Sequence, residues 1–334
     1  MNVNRAELAT ALNRAASATG TMLPVTANIR LETTDGLLTV TGTNLDVTVE
    51  VTIPAKGKLG PVLAPAHIAR QVAALTSETV DLTVKSGKLV VEGNATFRLP
   101  TFPIDDWPTI DPPTGGHFEP AQGFVERFTA VASHVSTEQA RPLLRAVAYG
   151  GGMLRASDSY RAAIVDEAGP DETLIIPAVK LAHPVDRIDF DRRHVMFTTP
   201  EGRMWVRMVE GSFPDVTKII PKVGGSTVTV DADVLSRAFG RAQMVPIAAT
   251  RGVRMDHDGD GVRLSVVDAS GEFEEFVPAK VDGEFEPVAF RPEFMRDALA
   301  PVAGDVELTI QDGRKPAMVS KGWWRSVVMP IVQN

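Results

Sequence analysis

Apolar and polar positions along this chain change period in a repeating order. Residues 2–18 place Leu8, Ala11, Leu12 and Ala15 at the spacing of one helical face and meet a stop at Gly20, which predicts a helix. Residues 29–50 then alternate as strand, Asp35-Gly36 turn, strand and a further strand. Pro65 opens a second helix over 66–75, and strands return at 80–84 and 89–91 around Ser86-Gly87. The middle of the chain runs the same way. It predicts a helix at 121–135, a hairpin and strand over 145–165, and a helix at 178–185 that Pro184 keeps short. Strands follow at 187–190, 194–198 and 204–209. The last third predicts helices at 232–244 and 293–300, with strands over 252–278, 306–310 and 326–331.

The copies resemble one another in detail. VELTI at 306–310 parallels VDLTV at 80–84, and residues 252–278 parallel 29–54, both ending in Pro-Ala. A period of about 110 residues is the size of a domain rather than of a solenoid repeat. The expected fold is α+β, with three homologous domains at 1–115, 116–223 and 224–334, each with two helices and antiparallel strands. Between the second and third lies SFPDVTKIIPK (212–222), with an aromatic-proline-acid turn at Phe213, Pro214 and Asp215 and a β-type run at 216–220. It predicts an extended connector, and 102–108 is a weaker copy.

Composition narrows the function. With 334 residues and 44% hydrophobic content the chain can bury a large core. The absence of cysteine removes disulfides, thiolate nucleophiles and cysteine-based metal sites. The N-terminal stretch lacks an apolar signal core and no run reaches membrane-span length, so a cytoplasmic protein with no membrane partner is expected. The six histidines are scattered without HExxH spacing, so no metal or cofactor is indicated. Asp256, Asp258, Asp260 and Gly261 match the opening of a calcium loop, but the bidentate position is Val267, so a hairpin turn is expected. No phosphate loop, dinucleotide fingerprint or nucleophile elbow is present, and no enzyme active site is visible.

Every predicted helix carries a cation. Arg5 and Arg14 lie on the first, Arg70 on the second, Arg127, Arg141 and Arg145 in the third region, Lys180 on the fourth, Arg237 and Arg241 on the fifth and Arg296 on the sixth. Two readings stay open: ordinary solvated helix faces, or one shared basic face that meets a polyanion through its phosphates. The net charge of −8 argues against a protein basic over its whole surface but leaves a local basic face open.

The motifs TVTGTNLDVTVE (39–50), LPTFPIDDWPTID (99–111), ASDSYRAAIV (156–165), VEGSFPDVTKIIPK (209–222), RGVR (251–254) and VVMPI (327–331), in this order and spacing, resemble the beta sliding clamp family. These are the processivity factors of the bacterial replicative polymerase, DNA polymerase III. The resemblance implies a head-to-tail homodimeric ring, one chain forming half of it, with helices lining a hole for double-stranded DNA and sheets outside. Six helices spaced about 9 Å apart leave a hole of only about 7 Å, whereas twelve leave about 24 Å, enough for a duplex. The implied dimer contact uses His67, Gln71, Leu75 and Phe97 on one side. On the other it uses Met244, Val245 and the strand Glu272, Phe273, Glu274, Glu275, Phe276 and Val277.

The resemblance also implies partners: the replicative DNA polymerase, the clamp loader and other proteins that dock short peptides in an apolar cleft between the second and third domains. That cleft would use Leu144, Ser157, Tyr160, Arg161, Ala162, Pro214, Lys218, Ile219, Thr250, Phe294, Pro316, Val327, Met329, Pro330 and Ile331. The chain departs from the family's usual pattern at 158–162, where Asp-Ser-Tyr-Arg-Ala replaces Asp-Gly-His-Arg-Leu, and at Arg291, where asparagine is common. Trimmed hairpins suggest a phage- or plasmid-encoded member. The rival function is a clamp-like interaction module, or decoy, that binds the same peptides without encircling DNA.

Overall fold

The computed structural model describes residues 1–109, 111–181, 184–221, 224–246 and 252–332. The chain begins with β1 (Asn2–Asn4), α1 (Arg5–Ala16), β2 (Asn28–Thr34), β3 (Leu37–Thr43), β4 (Val47–Pro54) and β5 (Val62–Pro65). Next come α2 (Ile68–Ala73), β6 (Thr79–Lys85), β7 (Lys88–Glu92) and β8 (Thr96–Pro100). The middle holds β9 (Gly116–Phe118), α3 (Phe124–Ala132), β10 (Ala146–Gly150), β11 (Met153–Ser157) and β12 (Arg161–Asp166). It continues with β13 (Leu174–Pro177), β14 (Arg187–Phe190), β15 (His194–Thr199) and β16 (Gly202–Arg207). The last part holds β17 (Ser226–Asp231), α4 (Ala232–Ala242), β18 (Val253–Asp258), β19 (Gly261–Asp268), β20 (Gly271–Pro278) and β21 (Lys280–Asp282). It ends with β22 (Val288–Phe290), α5 (Pro292–Leu299), β23 (Asp305–Ile310), β24 (Ala317–Lys321) and β25 (Trp324–Val328).

The expected α+β class is what forms. Residues 1–120 with 182–208 gather into one compact unit, and residues 121–181 with 209–334 into another. The first holds the sheets β1-β6-β7-β8 and β5-β2-β3-β4-β16-β15-β14-β9. The second holds β13-β10-β11-β12-β25-β24-β23-β17-β21 and β20-β19-β18-β22. The pairing β4–β16 runs from Gly202↔Val51 to Val206↔Val47, and β12–β25 runs from Arg161↔Val328 to Val165↔Trp324.

Local chemistry explains these boundaries. Asn4 Oδ1 accepts hydrogen bonds from the Ala6 and Glu7 amides at 2.9 and 3.1 Å, so α1 starts at Arg5 and Asn2–Asn4 is freed to pair with β6 as a strand. Asp231 caps α4 in the same way, its Oδ1 accepting from Val234 N at 2.9 Å. Leu8, Ala11, Leu12 and Ala15 are buried as the helical spacing requires. Each of the two leucines contributes about 2 kcal/mol of burial. The helix approaches its sheet so closely that a Cβ on Gly42 would lie 2.0 Å from the Ala15 carbonyl oxygen. The turns at Asp35-Gly36 and Ser86-Gly87 have positive φ at both central residues, the geometry that two-residue hairpins favour. The acidic stretch at 256–261 is a hairpin turn between β18 and β19.

Two expectations are corrected. The helix at 178–185 does not form: residues 178–181 and 184–186 have no regular structure, and 182–183 lie outside the described residues. Pro184 falls inside the expected span, where it lacks the backbone N–H that a helix needs. The connector at 216–220 is a 3₁₀ turn, Val216–Ile219, rather than a strand. Asp215 Oδ1 accepts from Thr217 N at 3.1 Å and from Thr217 Oγ1 at 2.6 Å, a local closure that competes with extension. Its upstream copy forms the same kind of turn at Ile104–Asp106.

Candidate partner-binding site

The β11–β12 turn and the N-terminus of α5 build the centre of the site. Asp158 Oδ1 accepts from the Tyr160 and Arg161 amides at 2.9 and 3.0 Å, and Ser157 Oγ donates to the Arg161 carbonyl at 2.8 Å. Ser159 closes the turn in the left-handed region at φ 81°. Arg161, 9% exposed, donates to Asp158 at 2.9 Å, Asp297 at 2.5 Å and the Ser133 carbonyl at 3.0 Å, and its guanidinium lies 4.4 Å from the Phe294 ring centroid. A buried cation with this many partners holds the turn against α5. Tyr160, 51% exposed, stacks on Phe294 at 6.4 Å and 27°. The Tyr160 carbonyl accepts from Met329 N at 2.8 Å, which fixes the chain after β25 beside it.

The 3₁₀ turn bearing Lys218 and Ile219 is tied to the same sheet. Val216 packs against Ala162 and Ile164, with Met153, Phe213 and Ile220 around them. Ile219, 39% exposed, Lys218 and Pro214 remain at the surface. Leu144, Pro316, Met329 and Ile331 are half-buried. Ala162 and Val327 are opposed in the β12–β25 register and fully buried. Pro330 is buried as well, and Thr250 lies outside the described residues.

His134 sits under this site. It is fully buried, with Nε2 2.7 Å from Ser326 Oγ, Nδ1 2.9 Å from Ser133 Oγ and its ring edge-on to Trp324. Burial, and then the neighbouring Arg161 charge, pulls its pKa down to about 3. Between pH 6.5 and about 3 the unfolded chain therefore takes up a proton that the folded chain refuses. Stability from this group is complete above pH 6.5 and is lost on acidification, by up to about 1.4 kcal/mol per pH unit. Urea unfolding at pH 7.5 and 5.0 should show His134→Gln losing about 2 kcal/mol less than the wild type. Equal losses would contradict this.

The cations expected to face DNA divide into two groups. Arg14 pairs with Glu201, Arg127 with the buried Glu167, Arg141 with Glu138 and Arg241 with Glu275. Arg70, Arg145, Lys180 and Arg237 are exposed, with no ion pair among the described residues. Arg5 Nε is buried without a hydrogen-bond partner among the described residues, and Arg296 donates to Gln243 at 2.8 Å.

For the expected dimer contacts, β8 and β20 are each the last strand of a four-stranded sheet. His67, Glu272, Glu274, Phe276 and Met244 are exposed, Met244 at 81%. Gln71, Phe97, Val245, Phe273 and Glu275 are half-buried, whereas Leu75 and Val277 belong to the cores of their own units. Sequence reasoning missed a hollow of about 450 Å³ between the Ile104–Asp106 turn and the strands carrying Arg203 and Trp205, since these segments are far apart in the chain. Among the described residues no group of three or more His, Asp or Glu could hold a metal ion, and no helix is long and apolar enough to cross a membrane.

Comparison with known proteins gives one family. The model for the N-terminal domain of the DNA polymerase III beta subunit matches residues 1–111, and that for its C-terminal domain matches residues 217–331. The beta sliding clamp of Pseudomonas aeruginosa is 26% identical over 324 residues, covering 89% of this chain and 88% of that one. The beta sliding clamp of Caulobacter vibrioides is 23% identical over 359 residues, covering 96% and 95%. Among solved structures, the P. aeruginosa DnaN sliding clamp bound to griselimycin superposes with TM-score 0.91 at 24% identity, over 100% of this chain and 99% of that one. The DNA polymerase III beta subunit of Thermotoga maritima superposes at 0.89 and 23%, over 100% and 99%. These structures share the fold.

Proposed function

This chain belongs to the DNA polymerase III beta subunit family, and on that premise we propose that two copies of it close head to tail around double-stranded DNA as a cytoplasmic sliding clamp. The ring tethers the replicative polymerase, the clamp loader and other partners through the site around Arg161, Phe294 and Ile219. It acts without catalysis. Enclosure holds the DNA, so weak phosphate contacts from cations such as Arg70, Arg145 and Arg237 suffice, and strong ones would slow sliding. Tethering raises the polymerase's effective concentration at the primer end.

The observation that carries this reading is that two of the sheets' end strands, β8 and β20, lie one in each compact unit. Unpaired edges are a liability in a monomer, and a two-fold arrangement that pairs β8 of one copy with β20 of the other removes both. Their exposed charges are complementary, with Arg98 on β8 and Glu272 on β20, where Glu274 is already paired with Arg263. The element order supports the three-domain division at 1–115, 116–223 and 224–334. Each segment begins with a short strand and a helix and ends with three strands, and β4–β16 and β12–β25 become the joints between neighbours.

Retention on nicked circular DNA tests it. Protein loaded on circles should stay bound through gel filtration and be lost once the DNA is cut to linear form, because a topological link ends at a free end. Equal loss from both forms, with peptide binding intact, would favour the decoy function.

A further inference from the structure

Arg161 and Arg291 flank one ring, Phe294, with their guanidinium carbons 4.4 and 5.3 Å from its centroid. Their electrostatic states differ. Arg161 is buried, and its charge is met by Asp158 and Asp297. Arg291 is half-buried, lies 5.3 Å from the Tyr160 centroid as well, and has no hydrogen-bond or ion-pair acceptor for its side chain among the described residues. Asp158 and Asp297 are engaged by Arg161, and Glu293 lies on the exposed side of α5. Arg291 is thus a cation with a free hydrogen-bonding fork, backed by two aromatic faces that limit its hydration. A guanidinium in such a setting binds a carboxylate more strongly than it would in open water.

We propose that the partner segment bound at this site presents a carboxylate to Arg291, and that the Arg291, Tyr160 and Phe294 cluster selects acidic over neutral partner peptides. The proposal rests on the peptide-cleft reading above and adds the chemistry of the preferred partner. Tyr160 holds the guanidinium in place from its exposed side, while Phe294 is shared with the structural Arg161. Arg291 is also the residue that precedes α5, and its side chain makes no capping bond to that helix, so replacing it leaves the helix start intact.

The test uses the full-length protein and short labelled peptides that carry large apolar side chains to suit the apolar site. Aspartate or asparagine is placed in turn at each remaining position, and binding is read by fluorescence anisotropy. At one position aspartate should bind about tenfold more tightly than asparagine, a ratio that falls to about one in Arg291→Gln. Equal binding of the aspartate and asparagine peptides at every position, or a preference that survives Arg291→Gln, would overturn the inference. Binding of no peptide in the series by folded wild-type protein would instead remove the cleft reading on which it rests.

Discussion

Ile219→Asp is expected to lower the affinity for partner peptides at least about 100-fold while changing the stability of the chain by less than about 0.5 kcal/mol. Ile219 ends the 3₁₀ turn, and its side chain is 39% exposed, so a carboxylate there stays hydrated in the free protein. The turn itself is anchored by Val216 against Ala162 and Ile164 and by the Asp215 cap, none of which the change touches. Once a peptide covers the position, the same carboxylate is stripped of water without a partner, which costs several kcal/mol. Anisotropy titration and equilibrium sedimentation of the variant check both halves. Unchanged affinity would move the partner site elsewhere, and loss of the proposed self-association would show that the turn serves assembly instead.

Met244→Asp should convert the proposed dimer to a monomer, with the self-association constant weakened at least about 100-fold. Met244 follows α4 and is 81% exposed, an unusual position for a large flexible apolar side chain in a chain that works alone. Its replacement removes nothing from the core, so thermal unfolding of the monomer should shift little. Burial of the new charge against a second copy is the costly step. Sedimentation velocity reads the oligomer directly, and retention on circular DNA should disappear with it. A dimer that persists at wild-type strength would exclude Met244 and its neighbours from the contact.

Much of the architecture was legible because local patterns act over a few residues. The strands at 187–190 and 306–310 appear close to where alternation placed them, and VDLTV and VELTI occupy equivalent strands, β6 and β23. Errors arose where a nearby side chain changed the backbone's choice. Asp215 turned a β-type run into a 3₁₀ turn, and Pro184 interrupted a helical pattern. The short strands β1, β9 and β17 were not visible in the sequence at all. Their pairing depends on partners up to about 80 positions away, as Asn2 with Asp81 shows.

The candidate site divides along the same line. Sequence alone supplied the residue types, the order of the repeats, the absence of thiol chemistry and the resemblance from which the cleft positions followed. It could not rank those positions. Ala162 and Val327 entered as cleft residues and are fully buried, Leu75 and Val277 are core, and Arg127 spends its charge on a buried glutamate. Nor could it distinguish Arg161, held by two carboxylates, from Arg291, which is held by none among the described residues. Burial and pairing are relations between residues brought together from 136 positions apart, as Arg161 and Asp297 are, and the energy of a charge depends on those neighbours rather than on its own identity.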